Sequence, residues 1–182
     1  MHTRILSLLL LSLVLAVPAA AQPRKPKPHA HPAAAASNAP REIAKFEDWT
    51  AATHQEGGQT VCYALTRAQS SAPGLPGRGE VVLTVTERQA ARDTVAIEAG
   101  FDYAKDASVT VQVDQTGLDF FTRARDAYAR DGKAAVAAFQ KGARAIARSP
   151  GPRGQPVTDT FSLKGFSAAY AAIVKACPPP KG

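Results

Sequence analysis

The chain has 182 residues, 22 basic against 15 acidic side chains, a formal net charge of +7 and two cysteines. Its N-terminal 41 residues read as a targeting segment and a tail, so what remains is enough for one hydrophobic core and not for two. That division also excludes the simplest explanation of the basic charge, a nucleic-acid-binding surface. The targeting segment implies export, and no aromatic residues are interleaved with the basic ones.

Residues 1–21 have the pattern of a secretory signal. Arg4 is the positive start, Ile5 to Val17 form an apolar run broken only by Ser7 and Ser12, and Ala19-Ala20-Ala21 follow Pro18. Cleavage is expected after Ala21. No cysteine follows the apolar run, which argues against a lipoprotein, and no later stretch is apolar enough to span a bilayer. The expected location is the periplasm or beyond, with outer-membrane association open.

Residues 22–41 read as a Pro/Ala-rich basic linker. They hold five prolines, four consecutive alanines and no acidic residue, a composition that favours an extended chain without a core. Their charges are Arg24, Lys25, Lys27 and Arg41. Residues 42–182 hold 17 basic and 15 acidic residues, a net +2, so most of the excess sits on the tail. Such a segment suits an anionic surface, which in an envelope means anionic lipid or lipopolysaccharide; a solubilising spacer is the competing account. His29 and His31 form an HxH pair, too few ligands to define a metal site.

The rest of the chain alternates in the manner of strands. Phe46 and Trp49 open it, and Ala51 to His54 run toward a Gly57-Gly58 turn. Thr60 to Ala68, Glu80 to Arg88, Asp93 to Phe101 and Ser108 to Val113 follow as strands, with residues 70–79 a Pro/Gly loop between the first two. Asp114 to Gly117 turn the chain into Leu118 to Thr122, a hairpin. Residues 119–131 fit either a strand or a charged helix. A short helix is expected near 133–141, a strand at 143–148 and a loop at 149–156. The last element, Thr158 to Pro178, changes period part-way. It alternates to Lys164, turns at Gly165, and becomes a helix from Phe166 through Ala169, Tyr170 and Ile173 to residue 176, before Pro178 to Pro180 end it. Six to eight short strands and two helices favour a mainly β sandwich over a βαβ fold.

Cys62 lies early in the domain and Cys177 at its end. Two exported thiols most often pair, and the chain-entropy account gives a loop of that length about 4.7 kcal/mol. Two separate buried thiols are the alternative. A redox role lacks the CxxC spacing or activating base it needs.

Catalytic signatures are missing. There is no GxSxG elbow, phosphate-binding loop, HExxH or dinucleotide fingerprint. His54 stands alone beside an apparent turn. Asp93, Glu98, Asp102 and Asp106 are neighbours in sequence, but paired-carboxylate chemistry needs a set separation that spacing does not supply. The expectation is a protein that is not an enzyme and takes no cofactor or metal.

Three blocks carry a resemblance. They are Phe46-Glu47-Asp48-Trp49, then Val61-Cys62-Tyr63-Ala64-Leu65, and Phe161-Ser162-Leu163-Lys164-Gly165-Phe166-Ser167-Ala168-Ala169-Tyr170 leading to Cys177-Pro178. With the central strands they cover most of residues 46–178 and resemble the invasion-associated locus B family of alphaproteobacterial exported proteins. The resemblance implies an immunoglobulin-like β-sandwich, with a link to host-cell entry in some pathogens and no catalytic residues to carry over. Other members often have a further cysteine pair where this chain has residues 118–131, which contain none. The expected role is a non-catalytic envelope-associated binding or structural protein. Its partners would be anionic lipid, lipopolysaccharide or an envelope protein. The alternatives are a periplasmic hydrolase of envelope polymers with unplaced carboxylates, and a secreted factor in host-cell invasion.

Overall fold

Alternating burial along successive strands builds the fold, because a strand that hides every second side chain must face a common core. The computed structural model describes residues 38–180. The strands are β1 (Arg41–Phe46), β2 (Trp49–Glu56), β3 (Gln59–Arg67), β4 (Ser70–Ala72), β5 (Val82–Glu87), β6 (Thr94–Glu98), β7 (Ser108–Val113), β8 (Thr116–Arg123), β9 (Asp126–Ala129), β10 (Arg144–Pro150) and β11 (Pro156–Ser162). Helix α1 (Gly132–Phe139) precedes β10, and α2 (Phe166–Ala176) follows β11.

The fold is mainly β, as expected. All the strands join one antiparallel ladder in the order β1-β2-β3-β5-β6-β9-β8-β7-β10-β11-β4. Only Ala68 and Gln69 separate β3 from β4, yet β4 stands at the far end of that ladder. The Ala68 N–H still donates to Val81 O (2.9 Å), and the next N–H, of Gln69, donates to Thr160 O (2.8 Å). The chain thus leaves one side of the sandwich and joins the other within two residues. The continuous chain through Ala68 and Gln69 closes the ladder from β3 to β4, while β1 and β4 remain its hydrogen-bonded ends.

Leu83, Val85, Val95, Ile97, Val109, Val111, Phe120 and Phe161 fill one continuous core from both sides. Helix α2 covers the sheet over β1–β3. Phe166 at its start meets the Trp49 ring at 4.8 Å and the α1 residue Phe139 edge-on at 5.5 Å. Trp49 Nε1 donates to Ser162 O (3.0 Å), which satisfies the indole inside the core. The turn into α2 requires glycine. Gly165 has φ +85°, and a Cβ there would collide with Phe46 O.

Four expectations change in detail. Residues 119–131 contain no charged helix. They finish β8, turn at Ala124-Arg125 and form β9, after which Asp131 caps α1 by accepting from the Ala134 N–H (2.9 Å). Inward-facing Phe120 and Ala127, both fully buried, hold that hairpin in place. The loop at 70–79 contains β4, and the loop at 149–156 shrinks because β10 runs to Pro150 and β11 begins at Pro156. Arg41, assigned to the linker, begins β1. The described residues form eleven strands where six to eight are expected, because β1, β4 and β9 are too short or too polar to show in the sequence.

A buried ion pair secures the closing loop. Arg78 sends Nη1 and Nη2 to the two Asp159 carboxylate oxygens at 2.8 Å each, and Nε to Ala99 O at 2.7 Å. Ser71 Oγ donates to Asp159 Oδ1 at 2.6 Å, and the guanidinium lies 4.9 Å from the Phe101 ring centre. Both charged side chains are more than 90% buried. Removing one partner strands the other in a dry site. Asp159→Ala is therefore expected to lose about 3–5 kcal/mol of stability, measured by urea unfolding of the oxidised protein. A loss below about 1 kcal/mol would mean that the pair does not hold the closure.

Candidate functional site

Strand β5 ends on a residue that breaks its own pattern. Leu83 and Val85 face the core, and the next inward position is Glu87, whose side chain is wholly buried. Burying a carboxylate is costly unless partners replace its water. The β5–β6 loop provides them. The Asp93 N–H donates to Glu87 Oε1 (3.1 Å). Arg92 Nε lies 2.5 Å from Oε2 as an ionic contact, and Oε2 accepts no hydrogen bond.

The same loop is fastened to α2. Arg92 Nη1 donates to Cys177 O (2.8 Å), and the Tyr170 hydroxyl donates to Asp93 Oδ1 (2.5 Å). Asp93 adopts φ +52°, and Gly132 lies so close that a Cβ on it would collide with Asp93 O. Cys177 is joined to Cys62 of β3, with Cα atoms 5.9 Å apart. The disulfide expected from the sequence is therefore present, and it ends α2 against the strand that pairs with β5.

Burial pushes the Glu87 carboxyl up from its ordinary 4.5 to about 7, over the opposing pull of the Asp93 N–H and the Arg92 charge. Burial and the hydrogen bond to Asp93 likewise raise the Tyr170 hydroxyl.

This network backs a cleft of about 570 Å³ between the β2–β3 turn, the β5–β6 loop and the residues after α2. Its walls include Gln59, Thr60, Gln89, Arg92, Cys177 and the Pro178–Pro180 run. Among the described residues no carboxylate lines it, and Arg92 is the one charged side chain in its wall. A smaller depression shares Gln59, Thr60 and Gln89 and is lined also by Arg88 and Glu56, which pair at 3.0 Å.

The other residues singled out in the sequence do not converge. Asp93 and Glu98 flank the ends of β6, about 16 Å apart at the rise of an extended strand. Glu98 lies 3.8 Å from Arg125, and Asp102 and Asp106 are exposed. His54 lies in β2 and not in a turn, edge-on to Tyr63 at 5.5 Å and 3.8 Å from Glu56. Arg41 is exposed at the start of β1. Arg24, Lys25, Lys27, the HxH pair and the signal segment lie outside the described residues. Among the described residues no group of three or more metal-ligating side chains comes together.

A family model described as invasion associated locus B protein matches residues 49–174. The chain belongs to that family. The crystal structure of invasion associated protein B from Bartonella henselae is similar in fold, with TM-score 0.55 and 18% identity over 73% of this chain and 95% of that one. Among curated proteins none matches this sequence.

The raised Glu87 value fixes the sign of a pH dependence in this family member. The folded state holds this proton more tightly than the unfolded state. Its contribution is therefore full below about pH 4.5 and is lost as pH rises through about 7. The loss is on the order of 1–3 kcal/mol. Glu87→Gln has no such proton, so its melting temperature relative to wild type should climb between pH 4.5 and 7.5. A constant difference across that window would refute the assignment.

Proposed function

We propose that this chain is an exported, non-catalytic envelope protein with a binding or structural role, whose basic tail contacts an anionic envelope component. The observation that carries the reading is the Cys62–Cys177 bridge. Structural disulfides persist in oxidising compartments, and this one agrees with the secretory pattern of residues 1–21. Most of the excess charge of the sequence then lies on Arg24, Lys25 and Lys27 of the tail, with Arg41 at the start of β1.

Anionic lipid and lipopolysaccharide offer the complementary charge. Each basic residue near an anionic surface contributes about 1 kcal/mol, screened by salt. A role in host-cell entry rests on family analogy alone, and the name of the Bartonella protein belongs to that protein.

The test is co-sedimentation with envelope fractions at graded salt. Replacing Arg24, Lys25 and Lys27 together by Gln is expected to weaken binding about 100-fold at low salt. Loss of the salt-sensitive component supports the reading. Unchanged binding removes the tail from it.

A further inference from the structure

We infer that the cleft beside the Cys62–Cys177 bridge is a binding site for an oxyanion, a carboxylate or phosphate on a small organic molecule, with Arg92 as its anchor. This site is separate from the basic tail and does not depend on it.

The argument begins with what lines the cleft. Its volume of about 570 Å³ lies within the range of small-molecule sites. Among the described residues Arg92 is the single charge in its wall, and Gln59, Gln89 and Thr60 add neutral hydrogen-bonding groups. A carboxylate or phosphate fits a guanidinium fork better than any other common group. Pro178 to Pro180 form an apolar wall on which the carbon skeleton of such an anion can rest.

The guanidinium is also held in place before any ligand arrives. Nε faces Glu87 Oε2 and Nη1 is bound to Cys177 O, so the side chain is immobilised from behind. Its partial exposure, 26%, opens into the cleft. Pre-ordering of this kind removes part of the entropy that binding would otherwise cost. An ordinary surface arginine has no such anchoring.

Glu87 makes the site sensitive to pH. The groups facing it are Arg92 and Asp93 on the loop, with the Tyr170 hydroxyl on α2 beside Asp93. Ionised Glu87 occupies Arg92 and repels an incoming anion. Protonated Glu87 does neither. Affinity should therefore fall as pH rises through neutrality. The tail's arginines and lysines do not titrate in that range, but its His29 and His31 are of the type that does, so cleft and tail are distinguished by which resonances move and by whether Glu87→Gln removes the pH dependence.

The experiment uses the full oxidised chain and two probes of constant charge between pH 6 and 8, glucuronate and dimethyl phosphate. Binding is followed by NMR of backbone amides, the Gln59 and Gln89 side-chain amides and Arg92 Nε–H. Saturable shifts are expected at residues 58–60, 89, 92 and 177, with affinity about three- to tenfold higher at pH 6 than at pH 8. A response to one probe alone assigns the carboxylate or the phosphate and supports the site. Arg92→Lys keeps the charge and loses the fork, and should weaken binding about five- to tenfold. Its mass after alkylation without reductant checks that the bridge is intact. Glu87→Gln, a second and independent variant, should keep binding and lose its pH dependence. The Arg24, Lys25 and Lys27 to Gln variant should bind as wild type does. The inference is overturned if the cleft resonances do not move, if shifts are confined to the tail, or if Arg92→Lys and Glu87→Gln titrate like wild type.

Discussion

Everything at the candidate end of the molecule depends on where α2 stops, and the Cys62–Cys177 bridge sets that position. Cys62 is a buried, inward residue of β3, and its partner is the residue that terminates α2. The covalent link does more than restrict the unfolded chain. It holds the Cys177 carbonyl where Arg92 donates to it, and it directs Pro178 to Pro180 along the cleft. Tyr170, two turns earlier on the same helix, reaches Asp93. The β5–β6 loop is thereby tied to α2 at two points, so bridge and loop form one mechanical unit.

The opposite constraint lies in the closure of the ladder. The Arg78–Asp159 pair ties the segment after β4 to β11 and to the carbonyl of Ala99 beyond β6. Buried ion pairs are poor sources of net stability and strong sources of positional definition when every donor and acceptor is used. Here both Asp159 oxygens accept, and three nitrogens of Arg78 donate. The sandwich is held at one place by a covalent bond and at another by a saturated polar contact, with the hydrophobic core between them.

Much of this was legible in the sequence because its strongest signals are local. The alternation at Ser108 to Val113 matches β7 residue for residue, and the shift from period two to period 3.6 across Gly165 locates α2 at both ends. The disulfide followed from compartment and count. The short strands were less visible. Ser70 to Ala72 has no apolar pattern, and it is a strand only because β11 lies beside it in register. Residues 119–131 carry charges at helical spacing, and the pairing of Phe120 with Ala129 and Thr122 with Ala127 overrides that local preference. The site was hidden for another reason. It assembles three segments distant in sequence, and its one local sign was Glu87, which continues the inward series of Leu83 and Val85.

Glu87 and Asp159 make an informative contrast. Both are carboxylates at inward strand positions, and both are almost wholly buried. Asp159 has its hydrogen-bonding capacity met by Ser71 and a two-pronged arginine, and that arginine is itself buried. Nothing about it is open to solvent or ligand, so its role ends with the fold. Glu87 is met incompletely. One oxygen takes a backbone N–H, the other takes no hydrogen bond, and its arginine lines the cleft. A valine would have continued the core at that position more cheaply. A sequence that breaks its own pattern and leaves the break partly unsatisfied beside a cavity departs from what stability alone would select. That departure separates the bridge end of the sandwich, as a place for chemistry, from the ladder closure, which serves the fold.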